Sequence, residues 1–299
     1  MNVVPILVLG VKISIFMTVL SLGMRASFSD IAHLLRRPGQ LAKALLAIFV
    51  IMPVFAILIV KVFTLSPVVR VVLVALSVSP LPPIFPKKAF KSGAEASFTF
   101  GLLAAVTLLS LIIIPLTFAA LDVLVPRDTQ FSQSFLINTL ATMVLLPMAI
   151  GMTLRYLAPR FSEGLADVLG KIGGILLIVS ILPILVALLP TMWSLTGKGM
   201  ILAFVVFALV GVAVGHFLGG PEPKERTVLS LATASRHPGI ALAIASANVV
   251  EETPKQVIAA AVIAYLLISA IVVAPFLKWL SGDESGTSAS GTRVSTVAH

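Results

Sequence analysis

Cysteine is absent from the 299-residue chain. No disulfide can brace it, no thiolate can hold a metal, and no cysteine nucleophile is at hand; the redox compartment therefore leaves no mark on the sequence. Charge is scarce too. Asp, Glu, Lys and Arg make up 11% of the residues, against about 25% in soluble domains. No His-Glu-x-x-His run, no phosphate-binding glycine loop and no dinucleotide fingerprint occurs, which removes the usual signs of a zinc hydrolase and of a nucleotide-driven pump. No pair of acids falls inside an apolar stretch. An intramembrane hydrolase would lack both its nucleophile and its base, so the chain does not read as an enzyme.

What is present is apolar residue in excess: 59% of the chain is hydrophobic and its mean hydropathy is +1.12. Burying that much apolar surface requires lipid. A spanning helix takes about 20 apolar residues, and nine such runs stand at roughly 3–24, 40–63, 67–92, 95–121, 131–157, 164–190, 199–219, 226–249 and 255–280. Lipid offers no partner to open strand edges, so all nine are expected to be helices. The fold class is an all-α polytopic membrane protein with one transmembrane domain over 1–280. The segment 281–299 is rich in Ser, Gly and Thr and lacks an apolar period, so it is expected to be a disordered tail. The run at 3–24 carries its charge after it, at Arg25, which reads as a retained helix and not as a cleaved signal peptide.

The net charge of +9 belongs to loops and gives no reason to invoke nucleic acid. One set of loops holds Arg25, Arg36, Arg37, Lys87, Lys88, Lys91, Arg155, Arg160, Lys171, Lys224 and Arg226. The opposite set holds fewer basic residues, mixed with Asp122, Asp128, Glu251 and Glu252. The richer set is expected on the cytoplasmic side of a plasma (inner) membrane. Nine spans then leave the N-terminus outside and the C-terminus in the cytoplasm.

Two of the runs are broken. Ser79-Pro80-Leu81-Pro82-Pro83-Ile84-Phe85-Pro86 places four prolines within seven positions, directly before Lys87 and Lys88. Each proline removes an N–H and pushes its predecessor out of the α region. A second break stands at Ser235-Arg236-His237-Pro238-Gly239. Paired interrupted helices in the two halves of a membrane protein point to a transport site, where freed carbonyls line a cavity and half-helix N-termini favour anions.

These pieces, in their order, resemble the bile acid:sodium symporter superfamily. The matching stretches are Leu22-Gly23-Met24 with Asp30 and Arg37-Pro38, Met52-Pro53, Pro80, Pro115-Leu116, Leu146-Pro147, Arg226-Thr227-Val228-Leu229-Ser230 and Gly239-Ile240-Ala241-Leu242-Ala243. The resemblance covers nearly the whole chain up to about residue 280 and implies inverted repeats. It also implies two discontinuous helices crossing near the bilayer centre, and a core domain moving against a panel domain made of the spans at 3–24, 131–157 and 164–190. The resemblance further implies side-chain sodium ligands, and here the chain diverges. The ligand positions fall on Pro86, Ala232, Arg236, Ile48 and Leu103, with one hydroxyl kept as Thr99. No metal site and no cofactor is expected, and fixed cations stand in place of sodium.

The expected function is therefore secondary transport of a small or amphipathic organic anion by alternating access, independent of sodium. Coupling is left open among none, exchange and protons. Two other readings remain open: a sodium-coupled anion symporter using backbone and hydroxyl ligands, and a non-transporting receptor. The candidate substrate-binding residues are Arg236, His237, Lys87, Lys88, Pro86, Thr99 and Ser235. Arg236 offers a planar fork for a carboxylate or sulfonate; its competing role is a plug for carbonyls freed at the first break. Lys87 and Lys88 line the cavity in one reading and merely mark the cytoplasmic face in the other. His237 either titrates or caps a carbonyl. Thr99 and Ser235, like other span hydroxyls, serve either ligand or neighbouring helix. The expected partners are the anion and the lipid bilayer; oligomeric state is not legible.

Overall fold

The chain was analysed as a computed structural model that describes residues 4–27, 29, 32, 34, 36–82, 84–90, 94–124, 138, 141–197, 199–248 and 253–291. Asp30, Pro83, Lys91, Asp128, Glu251, Glu252 and tail residues 292–299, which carry expectations above, lie outside the described residues. Among the described residues the chain is all helix, without a strand.

The helices are α1 (Val4–Arg25), α2 (Pro38–Val62), α3 (Pro67–Val78), α4 (Phe85–Phe90), α5 (Ala96–Leu124) and α6 (Ala141–Leu157). There follow α7 (Pro159–Leu195), α8 (Met200–Leu218), α9 (Pro223–Ala234), α10 (Pro238–Asn248) and α11 (Lys255–Gly291). Proline sits in the first turn of α2, α3, α7 and α9, where an N–H would be unpaired in any case. Pro115, Pro183, Pro190 and Pro275 lie inside α5, α7 and α11, as membrane helices tolerate.

By length and apolarity six stretches qualify as membrane spans: Pro5–Arg25, Pro38–Val62, Pro159–Leu195, Met200–Leu218, Pro223–Ser246 and Lys255–Phe276. The other three runs of the sequence hold shorter apolar helices, at Pro67–Val78, Ala96–Ser110 and Ala141–Leu157. Large apolar side chains such as Val62, Trp193, Phe217 and Ile271 stand exposed on the helix surfaces. A face of that kind belongs against lipid, and the protein is an integral membrane protein. The last helix reaches Gly291, inside the segment expected to be disordered.

Packing falls into two clusters. The larger gathers α2, α3, α4, α5, α8, α9, α10 and α11 around residues such as Ile48, Leu76, Phe85, Phe207, Ile244 and Tyr265. The smaller joins α1, α5 and α6 through Val19, Leu22, Phe100, Val144, Met148 and Met152.

Where α1 meets α6 the contacts are backbone against backbone, because small residues allow it, and against α7 the glycines make room for α1 side chains. A Cβ on Gly23 would lie 3.0 Å from Met148 Cα, and one on Gly151 would lie 2.7 Å from Met24 N. Ser14 Oγ donates to Gly173 O at 2.6 Å and Ser21 Oγ to Ala166 O at 2.7 Å, so hydroxyls rivet the seam that the glycines open. Lipid exclusion adds little between apolar helices, and such hydrogen bonds and close contacts supply the adhesion.

The same device joins α8 to α9. A Cβ on Gly215 would meet the backbone of Leu229 and Ser230. Replacing Gly215 with valine is expected to cost about 1–3 kcal/mol through overpacking. It should appear as a clear fall in the melting temperature of the detergent-solubilised protein; an unchanged melt would contradict this close approach.

Candidate functional site: a junction of two interrupted helices beside a basic cavity

The junction begins with proline. In α2 the stretch Ala47–Ile51 winds as a π-turn, so Met52 N–H reaches back to Ala47 O. The next amide would come from Pro53, which has none, and Ile48 O is left without a helical donor. The helix α3 ends at Val78, and Ser79 to Pro82 and Ile84 lie outside any helix before α4 starts at Phe85. Prolines 80 and 82 supply no N–H; Pro82 O accepts from Phe85 N–H at 2.9 Å, while Ser79 O and Pro80 O must find donors elsewhere.

The donors come from the second interruption. Between α9 and α10 only Ser235, Arg236 and His237 lie outside a helix. His237 N–H donates to Pro80 O at 2.9 Å, a direct backbone link between the two interruptions. Arg236 is buried to 1% exposure, and its Nη1 faces both Ile48 O and Ser79 O at 3.4 Å. Its guanidinium carbon lies 5.8 Å from the centre of the Phe207 ring, within cation–π range. Nε and Nη2 of Arg236 find no partner. Glu225 is the only buried carboxylate among the described residues, and it is engaged elsewhere by Arg37 and Gln40. The junction therefore holds a buried, uncompensated cation, which is costly and demands a reason.

His237 is held from several sides. Its Nδ1 accepts from Ile240 N–H at 3.3 Å and its carbonyl accepts from Ala241 N–H at 3.0 Å, so it caps the start of α10. That bond places the ring proton on Nε2, which is buried without a partner. Tyr265 Oη donates to Ala234 O at 2.8 Å, satisfying the end of α9.

Apart from the junction, a cavity of about 600 Å³ lies between α1, α4 and α7. Arg25, Lys87 and Lys171 line it, with Asp167 as its one acid; Leu22, Ile84, Phe90, Ile175 and Ile178 give it an apolar wall. Arg25 pairs with Asp167, and Arg155 donates to the carbonyl of Arg25. Lys87 Nζ donates to Gly170 O at 3.0 Å, tying α4 to α7. Two of the three cations thus lack a carboxylate partner among the described ion pairs, and the cavity carries a net positive charge.

The structure sorts the expected residues into separate places. Lys87 lines the cavity. Arg236, His237 and Ser235 form the second interruption, and the first two are buried away from the cavity lining. Lys88 is exposed on α4, and Pro86 is buried in the same short helix. Thr99 is buried and turns back on its own helix, donating to Glu95 O at 2.6 Å. Three cavity residues escaped sequence reasoning. Arg25 and Lys171 read there as loop charges and Asp167 is not singled out; the signal that would have found them is the bunching of charge near the end of α1 and the start of α7, two helices that share a glycine–serine seam.

An all-helical membrane protein whose helices break against each other beside a charged cavity is built as a solute carrier is built. The profile of the sodium bile acid symporter family matches residues 12–190, and the chain belongs to that family, a family of transporters and not of enzymes. No curated protein matches the chain.

The family name brings sodium with it, and the junction can be tested for the fit. Sodium needs several oxygens, preferably with a carboxylate among them. Ile48 O and Ser79 O are the oxygens here, and both already face Arg236 Nη1. A second cation about 4 Å from the guanidinium would be repelled by about 4 kcal/mol even at an effective dielectric of 20. The residues at this junction do not fit a sodium ion.

Proposed function

We propose that the protein is a secondary transporter of a small or amphipathic organic anion, working by alternating access and without the sodium site that the family name implies. The observation that carries this reading is the 600 Å³ cavity in which Arg25, Lys87 and Lys171 outnumber Asp167 against an apolar wall. An anionic head meets the cations and an apolar body meets Ile84, Phe90 and Ile175.

In this reading the nine apolar runs are nine spans. The pairs α3–α4 and α9–α10 are discontinuous helices crossing at the bilayer centre. The helices α1, α6 and α7 together are a panel that rocks against the rest, and the residues to 280 form one transporter domain. The basic side, with Arg25, Lys87 and Lys171, faces the cytoplasm of a plasma membrane, which leaves the N-terminus outside. The cavity lies where panel and core meet, and Lys87 spans that seam through Gly170 O. An anion that draws Lys87 off Gly170 O loosens the seam in the same act as binding, which couples occupancy to movement.

The test is counterflow in proteoliposomes preloaded with unlabelled cholate, pantothenate or pyruvate, then given the labelled counterpart. Accumulation of at least one label in the absence of sodium is expected, and Lys171→Gln should lower it several-fold. A protein that moves none of the three contradicts the reading and favours a receptor.

A further inference from the structure

The basic cavity stands at a border in the sequence of α7. Up to Lys171 that helix carries Arg160, Glu163, Asp167 and Lys171; from Ile172 to Leu195 it carries no charge. Charge stops where hydrocarbon begins, so the cavity's cations sit at the depth of lipid headgroups. Below them one wall faces outward. Ile175 and Ile178 line the cavity, yet each is 63% exposed on the helix surface.

That wall continues as a track. Lys171, Ile175, Ile178 and Leu182 follow at spacings of four, three and four, which is one face of a helix, and Leu182 is exposed as well. From Lys171 to Leu182 the track runs about 16 Å, half of a hydrocarbon core of about 30 Å. A solute arriving from water has no use for an apolar strip one leaflet long. An acyl chain has.

We infer that the cavity takes the phosphodiester headgroup of an anionic phospholipid from the leaflet on its basic side, with an acyl chain lying along Ile175, Ile178 and Leu182. The inference rests on the reading of the cavity as an anion site and names a second occupant for it. Arg25 is already paired with Asp167, so Lys87 and Lys171 are the cations left to a phosphate. Basic pockets between helices at headgroup depth favour anionic lipids. A zwitterionic lipid brings its own ammonium into a cavity that is already net positive, and is disfavoured there. A headgroup seated in the cavity holds the same cations that a solute anion needs, and so competes with it. The anionic lipid content of the bilayer thereby sets how readily the carrier accepts its solute.

The test needs no solute. The full chain is purified in a neutral detergent and melted with dioleoyl phosphatidylglycerol, with dioleoyl phosphatidylcholine, and with glycerol phosphate as a headgroup without chains. Phosphatidylglycerol should raise the melting temperature by about 3 °C or more at concentrations well above its Kd. The other two should raise it far less. Lys171→Gln and Ile178→Gln should each lose most of the shift. Both positions are exposed, so both variants fold. Lys224→Gln, an exposed change in the same set of basic loops but outside the cavity, should keep the shift.

An equal rise from both lipids overturns the inference, and so does a rise that glycerol phosphate reproduces without chains. A loss in Lys224→Gln as large as that in Lys171→Gln also overturns it, since the effect would then be one of general surface charge. A phosphatidylglycerol shift without counterflow of any anion would strike the transport reading alone. Counterflow without the shift would strike this inference alone.

Discussion

Replacing Arg37 with alanine is expected to destabilise the protein by about 3–5 kcal/mol, more than replacing its partner Glu225 with glutamine. The asymmetry follows from burial. Glu225 is 1% exposed at the start of α9, while the Arg37 side chain is 40% exposed. Arg37 Nη1 donates to Glu225 Oε1 at 2.7 Å, and Gln40 donates to the other carboxylate oxygen.

Removing Arg37 leaves a buried carboxylate with one amide for company, and an uncompensated buried charge is the costly case. Removing the charge from Glu225 leaves Arg37 free to turn toward water and Gln40 with an amide oxygen still in reach. That should cost about 1–2 kcal/mol. The double variant Arg37→Ala with Glu225→Gln should recover part of the loss, since the stranded charge is gone. Melting of the three proteins in one detergent checks the order. Equal effects from the two single changes would show that the carboxylate is not stranded as argued. The pair matters because it fastens the start of α2, whose Ile48 O faces Arg236, to the start of α9, the helix that leads into the second interruption.

The second large effect is expected at Lys87. Reversing its charge with glutamate puts a carboxylate beside Gly170 O, where an ammonium now donates at 3.0 Å, and turns attraction for an anion into repulsion. At a partly solvated site two charges about 4 Å apart interact by about 4 kcal/mol at an effective dielectric of 20. Even a third of that figure is about a tenfold change in an equilibrium constant. Counterflow of whichever anion the wild type moves should fall at least tenfold in Lys87→Glu. Lys87→Gln should fall less, because it keeps a donor for Gly170 O and loses only the charge. Lys61→Gln, an exposed change near the end of α2, serves as the control. Undiminished counterflow in Lys87→Gln beside a large loss in Lys87→Glu would assign Lys87 to the seam and remove its charge from anion binding.

Much of the architecture was legible because lipid leaves few choices. A chain with so little charge and such long apolar runs has to be helical in a membrane, and its described residues form helices and no strand. The interruptions were legible because proline acts locally: the chain leaves its helix where Pro80 and Pro82 stand and again before Pro238. The meeting of Arg236 with freed carbonyls was one of two readings that chemistry allowed. The sequence could not choose, because the choice depends on how α2 approaches the second interruption. The π-turn at Ala47–Ile51 hid behind an ordinary apolar pattern; Pro53 was its only trace.

The cavity was the least legible part. Arg25 and Lys171 obey the rule that basic residues collect on one side of a membrane, Asp167 is a lone acid between them, and nothing local to the three marks a pocket. Only the glycine–serine seam between α1 and α7 brings their ends together. Thr99 shows the opposite failure. As a hydroxyl in a span it reads as a possible ligand, yet Glu95 O, one turn back, satisfies it locally.

The central claim is that fixed positive charge does here what a bound sodium ion does elsewhere, and counterflow of labelled cholate, pantothenate and pyruvate in paired sodium and potassium buffers tests it most directly. The account predicts that at least one of these anions accumulates to the same extent in both buffers. Accumulation that appears only with sodium, and climbs as sodium is raised, would contradict it.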